Sequence, residues 1–184
     1  MGTSNYKILC FEYILHKLLE RHAKMCPNLD AKKILASYTR LKALKLLFFI
    51  SAVKATATDK GLLRIFGNFY AMEHGPVESD IYDAMTHGKT NIYNFSSRES
   101  ELIRPVEQTD FCTIKNEDKL LINDSISLLL QENPNILNAG PFKLVGITHK
   151  WLSWKLAIRM ATALHKRCEK MKVENIMKDV KYFS

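Results

Sequence analysis

Residues 39–54, TRLKALKLLFFISAVK, constrain the fold of this chain more than any other stretch. Thr39 is placed to cap a helix from Arg40 to about Lys54. On its wheel Leu41, Leu44, Leu46, Leu47, Phe48, Phe49, Ile50 and Val53 point nearly all round. A helix apolar on every face has to be enclosed by other elements, so this one is read as a buried central helix and not as an exposed groove for a partner. With 184 residues, 47% apolar and 25% charged, the chain can build the enclosing shell as one domain, or as one domain with an appended helical arm. The longest apolar run, Leu46 to Val53, contains Ser51 and is far too short to span a bilayer, so no membrane partner is expected.

The shell is predicted to be mostly helical. Ser4 is placed to cap a helix from about Asn5 to Lys24, with Ile8, Leu9, Phe11, Leu15, Leu18 and Leu19 on its apolar side. Asp30 caps a shorter helix through Ile34 and Leu35. After the core helix, Leu63, Ile65, Phe69 and Ala71 lie among polar neighbours around Gly67-Asn68, the pattern of two very short strands about a Gly-Asn turn. His74-Gly75-Pro76-Val77 follows. Val77, Ile81, Ala84 and Met85 then recur at helical spacing, Pro76 fits a first helical position, and Glu78 and Asp80 suit the first turn. Gly75 is therefore read as the corner of a strand-to-helix junction.

Residues 88–109 read as a polar, turn-rich loop, and Phe111 to Ile114 as one short strand. Asn116 or Asp118 is placed to cap a helix to about Gln131, and Gly140-Pro141 starts a short one. Thr148-His149-Lys150-Trp151-Leu152-Ser153-Trp154 opens a long helix to about Met171, and a last helix runs from Val173 to Phe183. The expected class is mainly α: a compact helical domain around a buried central helix, with a small β-hairpin or short strands.

Charge is placed unevenly. The formal net charge is +8; from Lys143 onward there are ten Lys/Arg against three Asp/Glu, while the first 142 residues carry seventeen against sixteen. On the long helix Lys155, Arg159, Lys166 and Lys170 fall in a narrow stripe opposite Trp154, Ala157, Ile158, Ala161, Leu164 and Cys168. Such a stripe suits an acidic protein face or a phosphate backbone.

Catalytic patterns are missing. The chain has no GxSxG elbow, P-loop, HExxH or dinucleotide fingerprint. Glu73, Glu78, Asp80 and Asp83 stand near His74 in sequence, but Glu78 and Asp80 have a helix N-terminus to serve and the others read as solvated. His16 and His22 do not share a helix face, and His149 reads as a cap or a core hydrogen-bonder. Cys10, Cys26, Cys112 and Cys168 form no CxxC pair and are read as reduced thiols in a cytoplasm. No catalytic residue, metal ligand or cofactor is expected, and the chain is not read as an enzyme.

Four stretches together carry a resemblance. LKALKLLFFISA, from Leu41, resembles a Leu-Lys-rich helix followed by paired aromatics. FYAMEHGPVESDIYDAM resembles an aromatic-Ala-x-x-x-Gly-Pro-Val-x-x-x-x-Tyr box through Phe69, Ala71, Gly75, Pro76, Val77 and Tyr82. THKWLSW, followed by Lys155-Leu156-Ala157, resembles a Thr-His…Trp box through Thr148, His149 and Trp154, and IMKDVKYF is similar to a closing helix. In this order and spacing, residues 39–184 resemble the Panacea antitoxin domain, also called SocA-like and related to phage-associated GepA proteins. Residues 1–38 are then an N-terminal helical extension packed on that domain.

The resemblance implies an antitoxin of a bacterial or prophage toxin–antitoxin pair, neutralising a cognate toxin protein by direct contact. Some relatives instead deliver a toxin to a protease as adaptors. The expected partner-binding residues are His74, Glu78 and Tyr82 at the corner, or Lys155, Arg159 and Lys166 in the basic stripe. The alternative is a nucleic-acid-binding regulator of a mobile element, holding DNA through the basic C-terminal helix.

Overall fold

The computed structural model describes residues 3–184, with side chains from residue 5 onward. Helices α1 (Thr3–Met25) and α2 (Ala31–Ala36) precede α3 (Arg40–Val53), the predicted core helix. Ser4 lies inside α1, and the cap expected of its side chain falls outside the described residues. The other two caps are as expected. Asp30 accepts from the Lys32 N–H at 2.9 Å, and Thr39 accepts from Lys42 N–H at 3.3 Å. Every residue of α3 from Lys42 to Val53 is buried, the two lysines included.

A hairpin packs against this helix: β1 (Phe69–Met72) and β2 (Gly75–Glu78), antiparallel, with Phe69 opposite Glu78 and Met72 opposite Gly75. Its turn is therefore Glu73-His74, not Gly67-Asn68. Gly61–Arg64 is a 3-10 turn that buries Leu62 and Leu63, so the apolar spacing ahead of Phe69 reflects a turn against the core and not a strand. Pro76 and Val77 are strand residues. Pro76 sits on the outer strand of a sheet ordered β2-β1-β5, with β5 at Glu169–Lys170, where its missing N–H is tolerated. Helix α4 (Ser79–Thr86) starts later than predicted, with Glu78 as its cap, accepting from Ile81 N–H at 3.0 Å.

The expected loop over residues 88–109 contains a second hairpin, β3 (Tyr93–Phe95) with β4 (Ser100–Leu102). Tyr93 and Phe95 point inward around exposed Asn94, an alternation too short to stand out among turn-forming residues. Phe111–Ile114 is a set of turns with Phe111 and Ile114 buried, not a strand. Helix α5 (Asn116–Glu132) has Lys115 at its cap position, so neither Asn116 nor Asp118 caps it; Asp118 turns inward instead and bonds Tyr6 and Arg64.

Gly140-Pro141 opens α6 (Pro141–Thr148) as predicted. Helix α7 (Leu152–Ala163) is shorter than expected, because the chain turns through His165 in the left-handed region, at φ 53°, and then joins the sheet as β5 (Glu169–Lys170). Helix α8 (Val173–Lys178) also stops early, and Asp179 turns back to accept from the α7 amides of Leu152 and Ser153 at 3.2 and 2.6 Å. The tail then seats Phe183 against Phe49 and Trp151, with ring centroids 5.9 Å apart in both cases. The described residues thus form eight α-helices and two small antiparallel sheets.

Helix α1 is joined to the rest by buried charge as well as by Phe11, Ile14 and Leu15. Glu12 is fully buried and accepts from the Asn91 and Ile92 amides at 2.8 and 2.7 Å. Lys7 reaches Glu78 at 2.8 Å and Asp80 at 2.5 Å. Replacing Glu12 with Ala strands two backbone donors beneath α1 and is expected to cost about 2–3 kcal/mol, measured by urea unfolding. A change below ~0.5 kcal/mol would show that these amides find water.

Candidate partner-binding site

The residues that carried the resemblance converge on the β1–β2 turn. From α3 beneath it, Lys45 donates its Nζ proton to the Pro76 carbonyl at 2.6 Å. From α7, Trp154 Nε1–H donates to the Met72 carbonyl at 3.1 Å. His149, at the end of α6, lies parallel to the Trp154 indole, ring centroids 3.9 Å apart and planes within 9°. Its Nε2 stands 3.1 Å from the Glu73 carbonyl. A carbonyl only accepts, so the imidazole carries its proton on Nε2. Burial pulls the His149 pKa down, the Glu73 carbonyl works against this, and Lys45 adds to the lowering when it is charged.

Gly75 is where these groups leave no room for a side chain. Its φ is +90°, and a Cβ built there would press inside van der Waals distance of Thr148 Oγ1 and lie 3.2 and 3.3 Å from Lys45 Cε and Nζ. Thr148 Oγ–H is committed to the Val145 carbonyl at 2.7 Å. Phe69, Ala71 and Val77 bury their side chains below the turn. These box residues are the structural frame of the corner.

The residues expected to meet a partner are not gathered in one place. His74 is exposed at the turn tip, edge-on to Phe142, a ring 74% exposed. Tyr82 is exposed on α4, with the Arg40 guanidinium over its ring at 5.8 Å. Glu78 is fully buried, its carboxylate divided between Ile81 N–H, Asn68 N–H and Lys7. Burial raises the Glu78 pKa, and Lys7 and the Ile81 amide only partly offset it. Glu78 is thus removed from the expected surface, because its cap and ion pair hold it inside. Asp83 faces Lys89 and His87, away from any set with Glu78.

Of the basic stripe, Lys155 and Arg159 are exposed on α7, but Lys166 follows its end and Lys170 belongs to β5. Leu164, assigned by spacing to the inner face, is 54% exposed. The least expected group is Lys45. It is wholly buried, with the Pro76 carbonyl as its hydrogen-bond acceptor, and burial pulls its amine down to about 7. Lys42, three residues earlier, donates to the Leu137 carbonyl at 2.7 Å and is pulled down to about 8. The signal was present in the sequence: two lysines on a helix with no outward face.

Among the described residues no helix is long and apolar enough to cross a membrane, and no three His, Cys, Asp or Glu side chains are grouped to hold a metal ion. A family model described as antitoxin SocA-like, Panacea domain, matches residues 44–155, well over half of the chain. The match includes Lys45, the β1–β2 corner, Thr148, His149 and Trp154. No curated protein and no solved structure gives a match.

Proposed function

Because the chain belongs to the family of SocA-like antitoxins with the Panacea domain, we propose that it neutralises a cognate toxin by binding it directly. The observation that carries this reading is that the family match spans the corner, where α3, the hairpin, α6 and α7 meet. The arrangement supports recognition in preference to a reaction. Main-chain carbonyls and buried side chains are spent on fixing the turn, and what faces outward is a surface. We read residues 1–38 as an extension packed onto a domain of residues 39–184, and the contacts of Lys7 with Glu78 and of Glu12 with Asn91 support that packing.

The test is made in cells, where this reading places the pair. The open reading frame adjacent to this gene is expressed under tight control, alone and with this chain, and growth is followed. Restored growth together with co-purification is expected. A neighbour that stays toxic beside a soluble, folded copy of this chain would remove the antitoxin role. Binding to DNA would then be titrated against salt, since contacts to a phosphate backbone weaken log-linearly with salt concentration.

A further inference from the structure

Helix α7 is apolar on two faces. Ala157 and Ala161 are buried, and Trp154 and Ile158 are half-buried against the sheet and core. Outside, Leu152, Leu156, Met160 and Leu164 follow at four-residue spacing and are 56%, 42%, 53% and 54% exposed. A single exposed leucine needs no explanation, but three apolar side chains at successive turns of one helix form an apolar strip about 12 Å long at the helical rise, and Leu164 continues it just past the helix end. Val180 and Tyr182, 64% and 37% exposed, extend it, and a cavity of about 410 Å³ opens between them and Leu152 and Leu156.

The rim of this strip is positive. Lys155 and Arg159 run beside it on α7, and Lys178 borders the cavity. None of the three forms an ion pair among the described residues. The nearby carboxylate, Asp179, is already committed to the α7 amides. An apolar floor with a cationic rim matches a segment that presents apolar side chains at helical spacing among Asp and Glu. A second copy of this chain is a poor occupant, because a twofold contact would bring two cationic rims together with no carboxylate of the strip to pair them. Nucleic acid has no use for the apolar floor.

We propose that this outer face of α7 is the docking surface for an acidic, apolar-faced segment of the partner. The assignment of that partner as the toxin rests on the antitoxin reading above. The surface itself is tested first with two fluorescent synthetic helical peptides, Leu at every fourth position with either Glu or Lys elsewhere, titrated into the full chain. The Glu–Leu peptide is expected to bind at least tenfold more tightly than the Lys–Leu peptide. Leu156→Asp with Met160→Asp should weaken it at least tenfold, and Lys155→Glu with Arg159→Glu should reverse the preference. Leu120→Asp, on the exposed side of α5 at 65% exposure, should change nothing. Circular dichroism confirms that each variant is folded.

Equal binding of both peptides, binding unaffected by either double variant, or a dimer in sedimentation that the Leu156/Met160 variant abolishes would overturn the proposal. The same variants then enter the growth assay. Rescue by wild type and loss of rescue by the Leu156/Met160 variant support the toxin as occupant. Rescue by both overturns the toxin as the occupant of α7 and leaves the antitoxin reading intact. Failure of wild type itself overturns that reading, and with it the toxin as the occupant of α7.

Discussion

Gly75→Ala is expected to destabilise the fold by about 2–5 kcal/mol, enough to unfold a marginal domain at growth temperature. Two effects add. A side chain at φ +90° carries the left-handed strain of an L-residue, about 1–2 kcal/mol, and the new methyl forces apart groups that are already packed, about 1–3 kcal/mol. Neither neighbour yields easily: Thr148 is fully buried and bonded to Val145, and Lys45 is held by Pro76. Adding Thr148→Ala to the variant should return the part of the packing cost set by Thr148 and leave the part set by Lys45 and the backbone, so the two substitutions will be non-additive in urea unfolding. A single variant within 0.5 kcal/mol of wild type would mean that the corner opens at no cost.

The second large effect is a pH dependence that resides in Lys45. Its amine has an ordinary pKa of 10.5 and is pulled by burial to about 7 in the folded chain. Below pH 7 it is protonated in both states, and the full cost of burying a charge is present. Between about pH 7 and 10.5 the unfolded chain holds a proton that the folded chain has released, so stability rises with pH, by at most about 1.4 kcal/mol per pH unit. Lys42, pulled to about 8, contributes in part of the same window, so the clean measurement is a difference. Lys45→Met keeps the length of the side chain and removes the titration. At pH 6–7 the variant is expected to be the more stable; as pH rises toward 10 the gap should close and reverse, since the neutral amine keeps its bond to Pro76. A difference that does not change with pH would show that Lys45 stays charged, with water or an anion reaching it.

The elements that could be read in advance are those whose local signals agree with their burial. Helix α3 has a capping threonine and apolar residues on all sides, and α6 has Gly-Pro at its start; both lie where the spacing put them. The spacing marks the place of the hairpin corner but not its pairing. A four-residue strand offers only two inward side chains, too few to set a register, and Pro76 satisfies a first helical position and an edge strand equally well. The end of α7 carried no warning, because the left-handed turn falls on His165 and not on a glycine.

The candidate site was half legible for a different reason. The boxes marked which residues mattered, but only the fold could separate those that hold the corner, such as Glu78 and Thr148, from those left facing outward. The outer row of α7 was hidden by the ordinary assumption that leucine means inside. Helical spacing groups Leu164 with Ala157 and Ala161, but the helix ends at Ala163. Lys45 was hidden by the converse assumption about charge. Its long stem crosses the apolar interior and ends on a carbonyl that only the folded hairpin supplies.

Trp154 and His149 hold the β1–β2 turn by the carbonyls of Met72 and Glu73. Every residue type has that carbonyl, so the grip does not depend on what positions 73 and 74 carry. The side chains of Glu73 and His74 are exposed and can be exchanged without disturbing the clamp. The corner therefore works as a mount with an interchangeable tip: selection, or a designed library, can rewrite what the turn displays while the machinery that positions it stays the same.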